Sequence, residues 1–254
     1  MSGSSGASGF SPGFASDRLL LLRYGTLAAR LHNKGHPTLD ANPIPLPASG
    51  ARDTRASILA AGCAVFADMG YDGAKVSEIV ARAQTTKPML YYHFGSKEGL
   101  FAAVLEEVYA GMRTIEQSAA VDGLPALQAM RRLVEATFDY HAAHPDWVRL
   151  ISVANIHGAE HITGSATIAS KNAAVVSILG ALLDRGTAEG VFRAGVDPLH
   201  LHLLIASFSF YRVSNRHTWR VIFGRDLASA TDAGGQRAML VDAVLSYLRP
   251  PGSW

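Results

Sequence analysis

The residues 84-QTTKPMLYYHFGSKEGLF-101 decide the fold. Thr86 stands where a helix N-cap is expected, and Pro88 falls in the first turn, where its missing N–H leaves no hydrogen bond unmade. Lys87 to His93 read as a very short helix. Thr85, Thr86, Lys87, Tyr91, Tyr92 and His93 are left as a compact polar tip. Just before it, Val76, Ile79, Val80 and Ala83 repeat at three and four over another short helix, which stops at the polar turn Gln84-Thr85. Two short helices joined by a tight turn, the second opening with a hydroxyl and a lysine, are what a helix-turn-helix requires. The first braces, and the second enters the major groove. Tyrosine hydroxyls and lysine ammonium groups bond phosphate oxygens, which fixes register without reading sequence. Lys97 and the unpaired N–H groups at the start of the next helix add to that capacity.

Outward from this stretch the pattern stays helical. Asp53 and Thr54 offer N-caps for a first helix carrying Ile58, Leu59, Val65, Phe66 and Met69 on one face, and Gly70 is placed to end it in a left-handed cap. Ser96 opens a long fourth helix through Leu100, Val104, Leu105, Val108, Met112 and Ile115. Gly123 and Pro125 break the chain, and further helices are predicted over 125–143, 145–157, 164–189, 198–220 and 235–249, nine in all. No segment alternates with period two, so the fold class is all-α. The eighth helix, through Leu199, Leu203, Leu204, Ile205, Phe208, Phe210 and Tyr211, is apolar nearly all round and is expected to be buried on several sides. With the ninth, carrying Met239 to Leu248, it offers more apolar surface than one subunit's core requires, which predicts a homodimer interface.

Composition bounds the function classes. The chain has 254 residues, 48% hydrophobic, enough for a sizeable core. Lys+Arg 23 against Asp+Glu 21 gives +2, too small a surplus to identify a nucleic-acid binder, so any basic patch is local. A single cysteine, Cys63, excludes an internal disulfide and Cys-rich zinc modules. The aliphatic run Leu19 to Leu22 is far below the ~20 residues of a membrane span, and the N-terminus lacks a secretory pattern. A soluble, cytoplasmic protein without a membrane partner is expected. Residues 1–50 hold seven Gly, seven Ser and five Pro and read as a disordered extension. Within it, 17–31 could form a transient helix.

The segment from Thr54 to Leu105 resembles the DNA-binding domain of the TetR family of bacterial transcriptional regulators. The family's signature appears as Lys87-Pro88, Leu90 to Phe94 and Gly95 to Phe101. The resemblance implies a three-helix helix-turn-helix domain over 51–99 and an α-helical effector-binding and dimerisation domain over 100–254. It implies a ligand-responsive regulator, not an enzyme, acting as a dimeric repressor on a palindromic operator in double-stranded DNA and released by a small-molecule effector. Carried over by position, Thr85, Thr86, Lys87, Pro88, Tyr91, Tyr92, His93 and Lys97 are the DNA-binding residues, with Leu90 and Phe94 locking the helix. Three departures bear on operator sequence. Lys75 stands where a small capping hydroxyl is usual, Gln84-Thr85 replaces Gly-Val, and Met89 replaces a hydroxyl, removing a polar contact or making an apolar one to a thymine methyl. Residues 51–99 carry six Lys+Arg and five Asp+Glu, +1, so phosphate affinity would come from placement.

The C-terminal part is less specific. Phe138, His141, Trp147, Phe208 and Tyr211 are candidate effector-binding residues, although aromatics of an all-α domain are core by default. The effector is expected to be largely apolar or aromatic, with or without one anionic group. Arg212, Arg216 and Arg220 form an i, i+4, i+8 stripe that suits an anion or, more simply, a solvated face paired with Asp226. His157, Glu160 and His161 spell HxxEH, the inverted zinc-protease motif, and supply the alternative reading, a metallohydrolase. Gly158 and Thr163-Gly164 put that motif at a helix end. A regulatory metal site using His141, His144, His157 or His161 is a further reading, and surface histidines are the default. No cofactor and no metal are expected. Cys63 reads as a packed thiol.

Overall fold

Spacings of three and four become ten α-helices and one 3-10 turn among the residues that a computed structural model describes, 50–119 and 123–252. The expectations for 1–49, the arm and its transient helix, lie outside the described residues, as do the side chains of Asp53 and Ile115. The elements are α1 (Gly50–Gly73), α2 (Val76–Arg82), α3 (Lys87–Phe94), α4 (Lys97–Ala119), α5 (Ala126–Ala143), α6 (Pro145–Ile156), a 3-10 turn (Glu160–Ile162), α7 (Ala166–Ala188), α8 (Pro198–Ser214), α9 (Arg216–Phe223) and α10 (Ala230–Leu248). No strand occurs among the described residues.

Several boundaries differ from the sequence reading. α1 begins at Gly50, ahead of the expected caps, and Gly70 (φ 71°) kinks the helix, which resumes for one more turn. The eighth helix breaks at Asn215, whose side chain turns back on Ser214 Oγ (2.8 Å) and the Tyr211 carbonyl (3.4 Å), so Arg212 lies on α8 while Arg216 and Arg220 lie on α9. The last helix starts at Ala230, capped by Ser229 Oγ accepting from Asp232 N (3.2 Å), and carries Gly234-Gly235 in its second turn. Other signals hold as read. Asp197 Oδ1 accepts from the Leu199 and His200 amides (2.7 and 3.3 Å) ahead of Pro198, and Ser96 Oγ accepts from Gly99 N (2.9 Å).

Two apolar cores organise the chain. One joins Ile58, Phe66, Ile79, Leu90, Leu100, Phe101 and Leu105 with Leu150, Ala154 and Ile168, so packing is continuous from α1–α4 into α6 and the start of α7. The other joins Met130, Val134 and Phe138 of α5 with Leu179, Leu201, Ile205, Val241 and Leu248. α4 touches α1 and α3 on one side and α5, α6 and α7 on the other, so it connects the helix-turn-helix to the rest. α7 is, by length and composition, long and apolar enough to cross a membrane, a point that counting unbroken aliphatic runs missed. Its apolarity comes from Ala interspersed with Ile, Val and Leu, and it packs on α4, α5 and α8 with Asp184 and Arg185 near its end.

Candidate functional site

α3 is held by Leu90, which is fully buried, while its opposite face is open. Thr86 is the N-cap residue, yet its hydroxyl makes no capping bond, which leaves it available to a ligand. Thr86, Lys87, Pro88, Tyr91 and Tyr92 are exposed, Tyr92 to 80%. Thr85 and Lys97 are partly exposed. Lys97 already has protein contacts: its Nζ lies 4.7 Å from the Tyr71 ring centre and 3.4 Å from the Asp72 carbonyl. His93 is half-buried, with Nε2 enclosed and its ring against Tyr92 and Phe94. Met89 is half-buried and packs against the first core. Lys75 is exposed at the start of α2 with no side-chain cap, whereas Arg55 stacks over Phe94 (5.2 Å).

The second candidate site lies where α4, α5 and α6 meet. Met112, Tyr140, His141, His144, Trp147, Val148 and Ile151 line a cleft of about 10 Å³, room for little more than one water and far below the ~300 Å³ at which ligand pockets usually begin. Gly111 makes that meeting possible, since a Cβ there would stand 2.4 Å from both the Trp147 ring and the Tyr140 hydroxyl. Of the expected effector residues, His141 and Trp147 line this cleft. Phe138 is buried in the second core under the Arg212 guanidinium (4.1 Å), and Phe208 packs at that core's edge. Tyr211 is not part of the cleft: it is 52% exposed on the far side of α8, its hydroxyl 3.4 Å from Trp219 Nε1.

Sequence reasoning missed Arg113 and His202 here, while Arg212 belonged to the expected stripe and His141 to the expected effector residues. Arg113 and Arg212 are buried, and Arg212 donates to Gln236 Oε1 (2.8 Å) and the Leu227 carbonyl (3.0 Å). Burial pushes the His202 imidazole down to about 4, with Arg113 and His141 adding to the effect. Burial likewise lowers His141, opposed by its bond to the Thr137 carbonyl (2.8 Å) and reinforced by Arg113, Arg212 and His144. Two guanidinium groups and two imidazoles thus share a secluded region in which a further positive charge is unfavourable. The expected arginine stripe reduces to Arg212 alone, because Arg216 pairs with Asp226 (3.4 Å) and Arg220 faces solvent. A lone arginine after Met112 on an otherwise apolar stripe was the available signal.

Cys63 is half-buried, and burial followed by the Asp146 charge raises its thiol to about 11, which keeps it an unreactive thiol near neutral pH. His157 caps the end of α6, and Glu160 and His161 lie in the separate 3-10 turn. The metallohydrolase alternative finds no support. Its motif needs two histidines spaced on one helix with the glutamate between them, and here left-handed Gly158 and Ala159 end the helix between them.

Comparison with known proteins follows the same division of the chain. A family model described as bacterial regulatory proteins, tetR family, matches residues 58–104, and one described as tetracyclin repressor-like, C-terminal domain, matches 127–244. The chain is 34% identical over 202 residues to the HTH-type transcriptional repressor NicS of Pseudomonas putida, covering 80% of this chain and 95% of that one. It is 38% identical over 104 residues to the HTH-type transcriptional repressor SCO4008 of Streptomyces coelicolor, covering 40% of this chain and 50% of that one. The fold is similar to the crystal structure of a regulatory protein in the tetR family from Rhodococcus RHA1, with a TM-score of 0.61, 22% identity, and coverage of 77% of this chain and 97% of that one.

Proposed function

We propose, from the premise that this chain belongs to the TetR family of bacterial regulatory proteins, that it is a dimeric repressor released from its operator by a small organic anion. Members of this family bind operators and small-molecule effectors and act as dimers. The chain is a DNA-binding transcriptional regulator and not an enzyme. Repression is favoured because NicS, matched along nearly its whole length, is named as a repressor. A regulator that acts on bacterial DNA works in the cytoplasm.

The observation that carries the DNA reading is the open face of α3: a free Thr86 hydroxyl, Lys87, Tyr91 and Tyr92 on a helix anchored from behind by Leu90. In this reading Thr86, Lys87 and Pro88 approach base edges, while Thr85, Tyr91, Tyr92 and Lys97 bear on the backbone. His93 supports the position of Tyr92. The effector reading rests on the secluded Arg113, Arg212, His141 and His202 beside an apolar cleft. An aromatic or aliphatic monocarboxylate satisfies both, its apolar body between Trp147 and Met112 and its charge toward the cations. The cleft must widen to admit it, and that widening moves α4, which leads to α3. Binding that favours the widened form lowers operator affinity by the same factor as operator lowers effector affinity.

The test is selection of bound sequences from a random DNA library, followed by gel-shift titration across salt. Lys87→Ala is expected to weaken operator binding by ~1 to 3 kcal/mol if it touches bases, relaxing sequence preference. Lys97→Ala is expected to weaken all sequences alike and reduce the salt slope by ~1. Unchanged affinity and slope in both variants would remove α3 from the interface.

A further inference from the structure

We propose that His157, Glu160 and His161 form a closed divalent-cation site, suited to zinc, that ties the helix-turn-helix to the body of the protein. One ligand atom from each of the three lies within 4.8 Å of the others, wider than the roughly 3.4 Å between ligands on a tetrahedral ion, so the side chains must close by about 1 Å to hold one, a movement open to the exposed Glu160 and the partly exposed His157. The second observation is independent of that spacing. His161 has a side chain only 3% exposed, and both of its ring nitrogens are enclosed with no hydrogen-bond partner. A neutral imidazole must donate from one nitrogen and accept at the other, so two orphaned nitrogens in a buried ring call for a ligand. The His161 Nε2 atom is 3.8 Å from Glu160 Oε1, and the Glu160 carboxylate is largely in solvent, which provides the route of entry.

The surroundings join two parts of the fold. His157 Nε2 lies 3.6 Å from Asp72 Oδ2 at the end of α1, which puts a second carboxylate within reach of the fourth coordination position. The Tyr71 ring stands 4.3 Å from His161 on one side and 4.7 Å from Lys97 Nζ on the other, and Phe101 of α4 packs on His161 at 5.0 Å. The cation site and the phosphate-facing lysine therefore share Tyr71 and Asp72. A dication held between the α6 end and the α1 end fixes the helix-turn-helix against the body, and operator affinity changes with metal occupancy. This last consequence rests on the DNA-binding reading above; the site itself does not.

The experiment is calorimetry of the full-length, metal-free chain with zinc alone, paired with cobalt absorption as a probe of tetrahedral nitrogen and oxygen ligation. One zinc per chain in the micromolar range is expected, with affinity falling about 100-fold in both His157→Gln and Glu160→Gln. These two side chains are not buried in the core, and far-ultraviolet circular dichroism confirms that the variants fold. Absence of zinc binding by the wild type, or unchanged affinity in both variants, overturns the site. Gel shifts with and without zinc then test the consequence: wild-type operator affinity is expected to change several-fold and that of Glu160→Gln to stay constant. Zinc binding with no change in operator affinity overturns the coupling and leaves the site standing. Failure to bind operator in either state overturns the DNA reading instead.

Discussion

His202 shows what the secluded cations mean for a single residue. Its imidazole ordinarily takes a proton at about 6.5, and in the fold it does so only at about 4, because burial and the neighbouring Arg113 and His141 oppose the charge. Between those values the unfolded chain holds a proton that the folded chain refuses, so folding stability rises with pH across the window. The contribution is present in full above about pH 6.5 and is lost as pH falls toward 4. His141 is shifted in the same direction. Urea denaturation at pH 7 and pH 4.5 is expected to show a smaller loss of stability in His202→Gln than in the wild type, since glutamine takes up no proton in either state. An equal loss in both would mean that His202 titrates in the fold as it does in water.

At the scale of elements, the turn between α2 and α3 closes by two bonds, Gln84 N to the Ala81 carbonyl (3.2 Å) and Thr85 N to the Val80 carbonyl (2.9 Å), the pairing of a Schellman cap. That cap puts Gln84 at φ 53°, a region natural to glycine. Gln84→Gly is expected to stabilise the protein by a few tenths to ~1 kcal/mol, the strain of a left-handed side chain (~1–2) less the entropy of a freer unfolded chain (~0.4–1). Thermal melting measures it, and a lower melting temperature would show that the Gln84 side chain contributes more than its backbone costs. The start of α3 and the start of α4 were legible because Thr86, Pro88 and Ser96 are local signals acting on their own neighbours. The break at Asn215 and the start of α10 at Ala230 were not. Asn215 stops a helix through a side-chain bond to Ser214 that no glycine or proline announces, and Gly234-Gly235 reads as a break although the helix runs through it. The cation cluster was illegible for another reason. Arg113, His141, His202 and Arg212 come from three helices and meet only in the fold. By contrast, the Thr86 to Tyr92 tip was legible because all of it lies on one short helix.

For the whole molecule, the decisive fact is the side of α8 that faces away from the core. The sequence reading expected this helix to be buried on several sides, and within one chain it is buried on one. Leu201, Ile205, Ser209, Arg212 and Val213 point inward, while Leu199, Leu203, Leu204 and Tyr211 are exposed, Leu203 to 63%. Met239 and Tyr247 of α10 are exposed too, as are Val221, Ile222 and Phe223 of α9. Monomeric proteins rarely leave so many large apolar side chains open on adjoining elements, and a second copy of the chain covers them in the dimer proposed above. Leu203→Glu is the sharp test. It places a carboxylate at the middle of the face, where it would be buried beside its own copy across a two-fold axis, so association is opposed by desolvation and by like charge. The side chain faces solvent within one chain, so the variant is expected to fold, which circular dichroism checks. Light scattering at micromolar concentration is expected to give twice the 27.0 kDa chain mass for the wild type and the chain mass for the variant. Palindromic DNA separates the consequences further. In a dimer the second half-site is engaged at high effective concentration, so the variant should lose orders of magnitude in affinity for the full operator and little for an isolated half-site. Equal loss on both would mean that the substitution had damaged α3 rather than the pairing, and a wild type that scatters as a single chain would leave the exposed face of α8 to some other partner.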